Sequence, residues 1–233
     1  MAKRKKEGTI EAMVVRNRLV ALLLRLTFFV LLWISYPVYV ASFESAWTAF
    51  CTMSVELGTV FLVMVGFELI FNLIDLIRHG IHGVAAGPYM PFALPITVFT
   101  IISGIFYFST LLPNGDAPGG AFGIVLHVVL IAAPLIDWLF LDEKGTCPMF
   151  AVITWQIYPI LFHIFGYFRT VIWPNDAIYR GNMYALPFLN YLDPFIVWKS
   201  IAFFAITLGG ACLAVFLNDV LSGKFRPVKI QID

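Results

Sequence analysis

Six apolar stretches of about twenty residues, separated by short turn-rich breaks, constrain this chain more than any other feature of its sequence. A helix needs roughly 20 apolar residues to cross the hydrocarbon core of a bilayer. The stretches run from about Leu19 to Ala41, Trp47 to Leu76, Phe92 to Leu112, Ala121 to Leu141, Met149 to Trp173 and Pro194 to Leu217. The breaks carry Gly, Pro, Asn and Asp, as in Pro113-Asn-Gly-Asp-Ala-Pro-Gly-Gly and Asp142-Glu-Lys-Gly, and such short loops make consecutive helices antiparallel neighbours. Backbone groups in lipid must be satisfied within each span, which selects helices over open strands. The expected fold is therefore all-α: a polytopic membrane protein with a bundle of six transmembrane helices. Residues 1–18 form a basic N-terminal segment, 19–217 the transmembrane domain and 218–233 a tail.

Composition agrees. Hydrophobic residues make up 61% of the chain and charged residues 12%, about half the charged fraction of a soluble domain. The net charge of +1 supplies no electrostatic footprint for nucleic acid. Membrane lipids are the expected surroundings. Cys51, Cys147 and Cys212 lie far apart and lack metal-ligand spacing. They read as packing thiols.

Lys and Arg set the expected orientation. Lys3, Arg4, Lys5, Lys6, Arg16 and Arg18 precede the first span, and Lys224, Arg226 and Lys229 follow the sixth. Arg78 and Lys144 fall in loops on that same side, and the opposite loops hold only Arg180. Both termini are expected to be cytoplasmic, with the plasma or inner membrane as the location if the cell is bacterial.

Ionisable and hydroxyl side chains within spans are expensive and point to function. With the helices so directed, Thr52, Ser54, Glu56, His127, His163, Arg169 and Lys199 all fall in the outer half of the bundle. Thr52 and His127 differ in depth by a few ångströms at about 1.5 Å per residue. Histidine is a general base near neutral pH, and a hydroxyl activated by histidine is a nucleophile. A Thr in a membrane helix also bonds the carbonyl one turn earlier, and a His can serve as an interhelical tie. Glu56, His127 and His163 together would make a two-histidine, one-carboxylate metal set. Elsewhere, Arg25 can snorkel inward from the first span. Asp137 is read as an anchor or cap, and His79 with His82 as a weak metal signal.

Trp47-Thr-Ala-Phe-Cys-Thr-Met-Ser-Val-Glu-Leu resembles the threonine-bearing motif of the androgen-induced/FAR-17a family of membrane proteins and its bacterial-type branch. Leu126-His-Val-Val-Leu-Ile-Ala-Ala-Pro-Leu-Ile-Asp-Trp-Leu resembles that branch's histidine-bearing helix. Trp155-Gln-Ile-Tyr-Pro and Tyr184-Ala-Leu-Pro-Phe-Leu resemble its later landmarks, in the same order. Val55-Glu56 replaces the Ser-Asn common in that branch, and the proline after the histidine is displaced to Pro134. The resemblance implies an intramembrane threonine hydrolase of fatty-acyl esters, such as fatty acid esters of hydroxy fatty acids. Thr52 would be its nucleophile and His127 its base, with no cofactor. Ser54, Glu56, His163, Arg169 and Lys199 are then supporting or substrate-binding candidates, with Glu56 orienting a histidine and Arg169 or Lys199 holding a carboxylate. A non-catalytic transporter or ligand-binding membrane module, and a metal-dependent membrane enzyme, are the alternatives.

Overall fold

A computed structural model describes residues 14–173, 178 and 190–223 of the chain. Tyr184-Ala-Leu-Pro-Phe-Leu, Arg180, Lys3, Arg4, Lys5, Lys6, Lys224, Arg226 and Lys229 lie outside the described residues. The described chain is all helical apart from an isolated bridge between Asn17 and His82. Its helices are α1 (Arg18–Ala41), α2 (Ala46–Phe50), α3 (Met53–His79), α4 (Met90–Phe106), α5 (Gly120–Ile136), α6 (Ala151–Trp155), α7 (Ile157–Ile172) and α8 (Ile196–Leu221). Five-residue π-helical turns, Tyr107–Leu111 and Asp137–Leu141, extend α4 and α5. Among the described residues, six helical segments are long and apolar enough to cross a membrane. The protein is an integral, multi-pass membrane protein.

The second and fifth apolar stretches are each interrupted. In the second, the chain turns at Cys51 and restarts from Thr52, whose extended backbone (φ −101°, ψ 138°) caps α3. Hydropathy is blind to this break because every residue around it is apolar or small. In the fifth, Pro159 has no N–H to give the carbonyl of Trp155, and α6 ends at that residue. A proline also opens a bond in α4. Pro95 cannot donate to the Pro91 carbonyl, and the indole N–H of Trp155 takes that oxygen at 2.9 Å. One helix's proline defect is thus an anchor for the next.

Helix α4 is the central element. Eleven of its 17 residues are buried, against five of the 24 in α1. It packs on α3, α5 and α8, and α1 packs on α3 and α5. The outer faces carry exposed Trp33, Phe67, Ile77, Ile153 and Trp198, the apolar exterior that lipid requires. Inside this shell lie two polar centres. One sits where α3 begins and the other lies further along the same helix, at Glu68.

Candidate functional site

The first centre is built on the restart of α3. The Thr52 hydroxyl donates to the Ala49 carbonyl at 2.7 Å and accepts the Val55 amide at 3.4 Å. It satisfies one of the first-turn amides that no intrahelical carbonyl can reach. Thr52 is fully buried, and both its hydrogen bonds are local.

Ser54, in the first turn of α3, points across the bundle. Its Oγ lies 2.8 Å from Nε2 of His127 on α5. It also lies 2.8 Å from Oγ of Ser103 on α4. The other ring nitrogen, Nδ1, is 2.8 Å from the Gly123 carbonyl, one turn back on α5. A carbonyl can only accept, so Nδ1 carries a proton. In the neutral ring Nε2 then accepts, and Ser54 is its donor. Ser103 in turn donates to Ser54, making a directed chain from Ser103 through Ser54 to His127. A serine O–H held on an imidazole whose far nitrogen is fixed has the layout of an activated nucleophile.

Aromatic rings hold the imidazole in place. Tyr107, in the π-helical turn, stacks on His127 with centroids 3.6 Å apart and planes 10° from parallel. Tyr39 of α1 meets the same ring edge-on at 5.2 Å. His127 is fully buried and Tyr107 is 1% exposed, and the Tyr107 hydroxyl has no hydrogen-bond partner among the described residues. Gly123 makes room: a Cβ there would lie 2.2 Å from the Pro118 carbonyl and 2.6 Å from the Tyr107 hydroxyl.

The remaining expected residues have other partners. Glu56 accepts a hydrogen bond from Tyr158 of α7 at 2.8 Å. His163 meets Ser200 at 3.3 Å, and its carbonyl accepts from Tyr191 at 2.9 Å. Lys199 pairs with Asp193 at 2.5 Å. That contact, with the Phe195 amide, holds the Asp193 carboxyl below its ordinary range. Arg169 is buried on α7, 1% exposed. Among the described residues no three His, Cys, Asp or Glu side chains form a group able to hold a metal ion. Glu56, His127 and His163 therefore do not converge as a ligand set. His79 lies 3.6 Å from Asp75, one turn before it, and the carbonyl of His82 accepts from Arg18.

The second centre overturns the expectation for Arg25. Its side chain does not snorkel: it is 1% exposed and turns into the bundle. Nε and Nη2 grip both oxygens of Asp137, at 2.7 and 3.0 Å. Nη2 also reaches Asp142 at 3.2 Å, and Nη1 donates to the Ala86 carbonyl at 2.5 Å. Glu68 of α3 lies 3.2 Å from Nε. Asp137 is thus half of a buried ion pair rather than an anchor at the membrane surface. Burial, with the charge of Asp137, raises the Asp142 carboxyl well above its ordinary range, against the pull of Arg25 and Lys144.

Sequence reasoning missed Ser103, Tyr107 and Gly123 as parts of the first centre. The signal available for Ser103 was a small polar residue in a span otherwise rich in Ile and Phe. For Tyr107 and Gly123 there was none beyond composition. A comparison with protein-family models, curated proteins and solved structures finds no match for this chain.

Proposed function

We propose that this protein is an intramembrane hydrolase of fatty-acyl esters, with fatty acid esters of hydroxy fatty acids as a fitting substrate class and His127 as its general base. The observation that carries the reading is the 2.8 Å contact between Ser54 Oγ and His127 Nε2, on a ring whose Nδ1 is held by Gly123. In the proposed reaction Nε2 takes the hydroxyl proton as the oxygen attacks the ester carbonyl. The carbonyl electrons move to oxygen, near the Met53 and Ser54 amides at the start of α3; the next two amides, of Val55 and Glu56, are taken by Thr52. Collapse expels the alcohol, which recovers the proton from Nε2. Water, deprotonated by the same nitrogen, then releases the fatty acid and restores the hydroxyl.

Two hydroxyls compete for the nucleophilic role. The family resemblance favours Thr52. The hydrogen-bond geometry favours Ser54, because the Thr52 hydroxyl is engaged in capping α3. The Lys and Arg bias supports both termini on the cytoplasmic side, and a plasma or inner membrane if the cell is bacterial.

The test uses purified protein, a fluorophosphonate probe and long-chain ester hydrolysis. The expected adduct maps by mass spectrometry to Ser54, and both labelling and hydrolysis disappear in Ser54→Ala and His127→Ala. An adduct on Thr52, lost in Thr52→Val, keeps the hydrolase and moves the nucleophile. Full labelling and hydrolysis in folded His127→Ala protein overturn the proposal.

A further inference from the structure

Beside the buried ion cluster, a groove of about 520 Å³ opens between α3 and the segment leading into α4. Its volume is that of a site for a small amphiphile. Val63, Phe67 and Phe71 line one wall, and Tyr89 and Phe92 the other. Glu68 is the only charged side chain lining it among the described residues.

Glu68 faces the guanidinium at 3.2 Å but shares it with two other carboxylates and takes no hydrogen bond from it. The Arg25 N–H nearest to it is already donated to Asp137 at 2.7 Å. Neither carboxylate oxygen of Glu68 has a hydrogen-bond partner, although the residue is only 4% exposed. Across the cluster one guanidinium faces Glu68, Asp137 and Asp142. Lys144 answers only in part, through the Asp142 backbone carbonyl. A buried carboxylate without donors is costly, and a ligand that brings both positive charge and N–H donors removes that cost.

The walls decide what kind of cation fits. A small hard cation needs several oxygen ligands, and apolar walls offer none beyond Glu68. An anionic amphiphile meets three carboxylates of its own sign. We propose that the groove binds a lipophilic ammonium, its N–H groups on Glu68 and its apolar body along Val63, Phe67 and Phe92. The site is separate from the Ser54–His127 centre, and it stands whether or not that centre is an esterase.

The experiment measures thermal unfolding of the protein in phosphatidylcholine nanodiscs with added dodecylamine, and with dodecanol and dodecanoate as uncharged and anionic matches. Dodecylamine is expected to raise the midpoint in a saturable way, and the other two are not. Glu68→Gln is expected to weaken dodecylamine at least tenfold. Val63→Trp, at a lipid-exposed wall position, is expected to block the groove without touching the ion cluster. Equal stabilisation by dodecanol overturns the proposal, as does unchanged affinity in either variant. If Glu68→Gln fails to fold, Val63→Trp decides alone. Nanodiscs supplemented with phosphatidylethanolamine identify the source. Competition with dodecylamine assigns the ammonium to a lipid headgroup, and its absence to a free amine.

Discussion

The Ser54 hydroxyl lies 2.8 Å from Nε2 of His127, and the two residues belong to different spans separated by 73 positions in the chain. The contact depends on the interruption before α3. That break leaves Thr52 as the cap and puts Ser54 in the first helical turn, facing α5.

Removing the Ser54 hydroxyl leaves a buried imidazole nitrogen without a donor. Ser54→Ala is expected to destabilise the protein by about 1–3 kcal/mol, the cost of an unsatisfied buried polar group. Ser103→Ala leaves the Ser54–His127 bond in place and is expected to cost less, roughly 0.5–1.5 kcal/mol. The double variant should be non-additive, since the three groups form one chain. Denaturant unfolding in mixed micelles checks the order.

Two glycines in spans are expected to respond oppositely to the same change. Gly123→Ala drives a methyl into the Pro118 carbonyl and the Tyr107 hydroxyl. It should displace the ring stacked on His127, lower the unfolding midpoint and reduce the proposed ester hydrolysis together. Gly209→Ala meets nothing within 4 Å, and alanine is the better helix former. Its midpoint should stay level or rise. Thermal scans of both variants beside the parent protein are the measurement.

Breaking the Arg25–Asp137 pair strands buried charge. Arg25→Met is expected to cost about 3–5 kcal/mol, because it leaves carboxylates facing one another in the bundle. Arg25→Lys should recover little of this, since an ammonium cannot reproduce the two-pronged grip on Asp137. Combining Arg25→Met with Asp137→Leu should restore stability relative to Arg25→Met alone. The comparison is made by equilibrium unfolding of the three variants.

Lys199 and the Phe195 amide hold the Asp193 carboxyl below its ordinary range. The contribution of that contact is therefore present above the ordinary carboxylate range and is lost as pH falls through the lowered value. The difference in unfolding midpoint between the parent and Asp193→Asn should be small at neutral pH, because the pair is solvent-screened. It should vanish in acid. A difference that grows as the pH falls would contradict the pairing.

Much of the fold was legible before any coordinates. Lipid cannot satisfy backbone N–H and C=O groups, so an apolar stretch long enough to span must be helical, and six such stretches become six spanning segments. The proline break before Pro159 was also readable in principle, because the missing N–H is a covalent fact. The break at Thr52 was not. Threonine caps helices and also sits inside them, and the surrounding residues suit either state.

The candidate centres divide in the same way. Depth along a span follows from counting residues, and counting placed Thr52, Ser54 and His127 near one level. Direction around the helix axis does not follow from counting. Positions two apart in a helix differ by only about 3 Å in height but by roughly 200° in direction. Which hydroxyl faces His127, and whether Arg25 turns out to lipid or in to Asp137, is set by how α1, α3, α4 and α5 pack. The sequence by itself determined that this chain spans a membrane with polar groups at matched depths. Tertiary packing alone decided that Ser54 meets His127 and that Arg25 meets Asp137, because azimuth is a property of the bundle and hydropathy reports only depth.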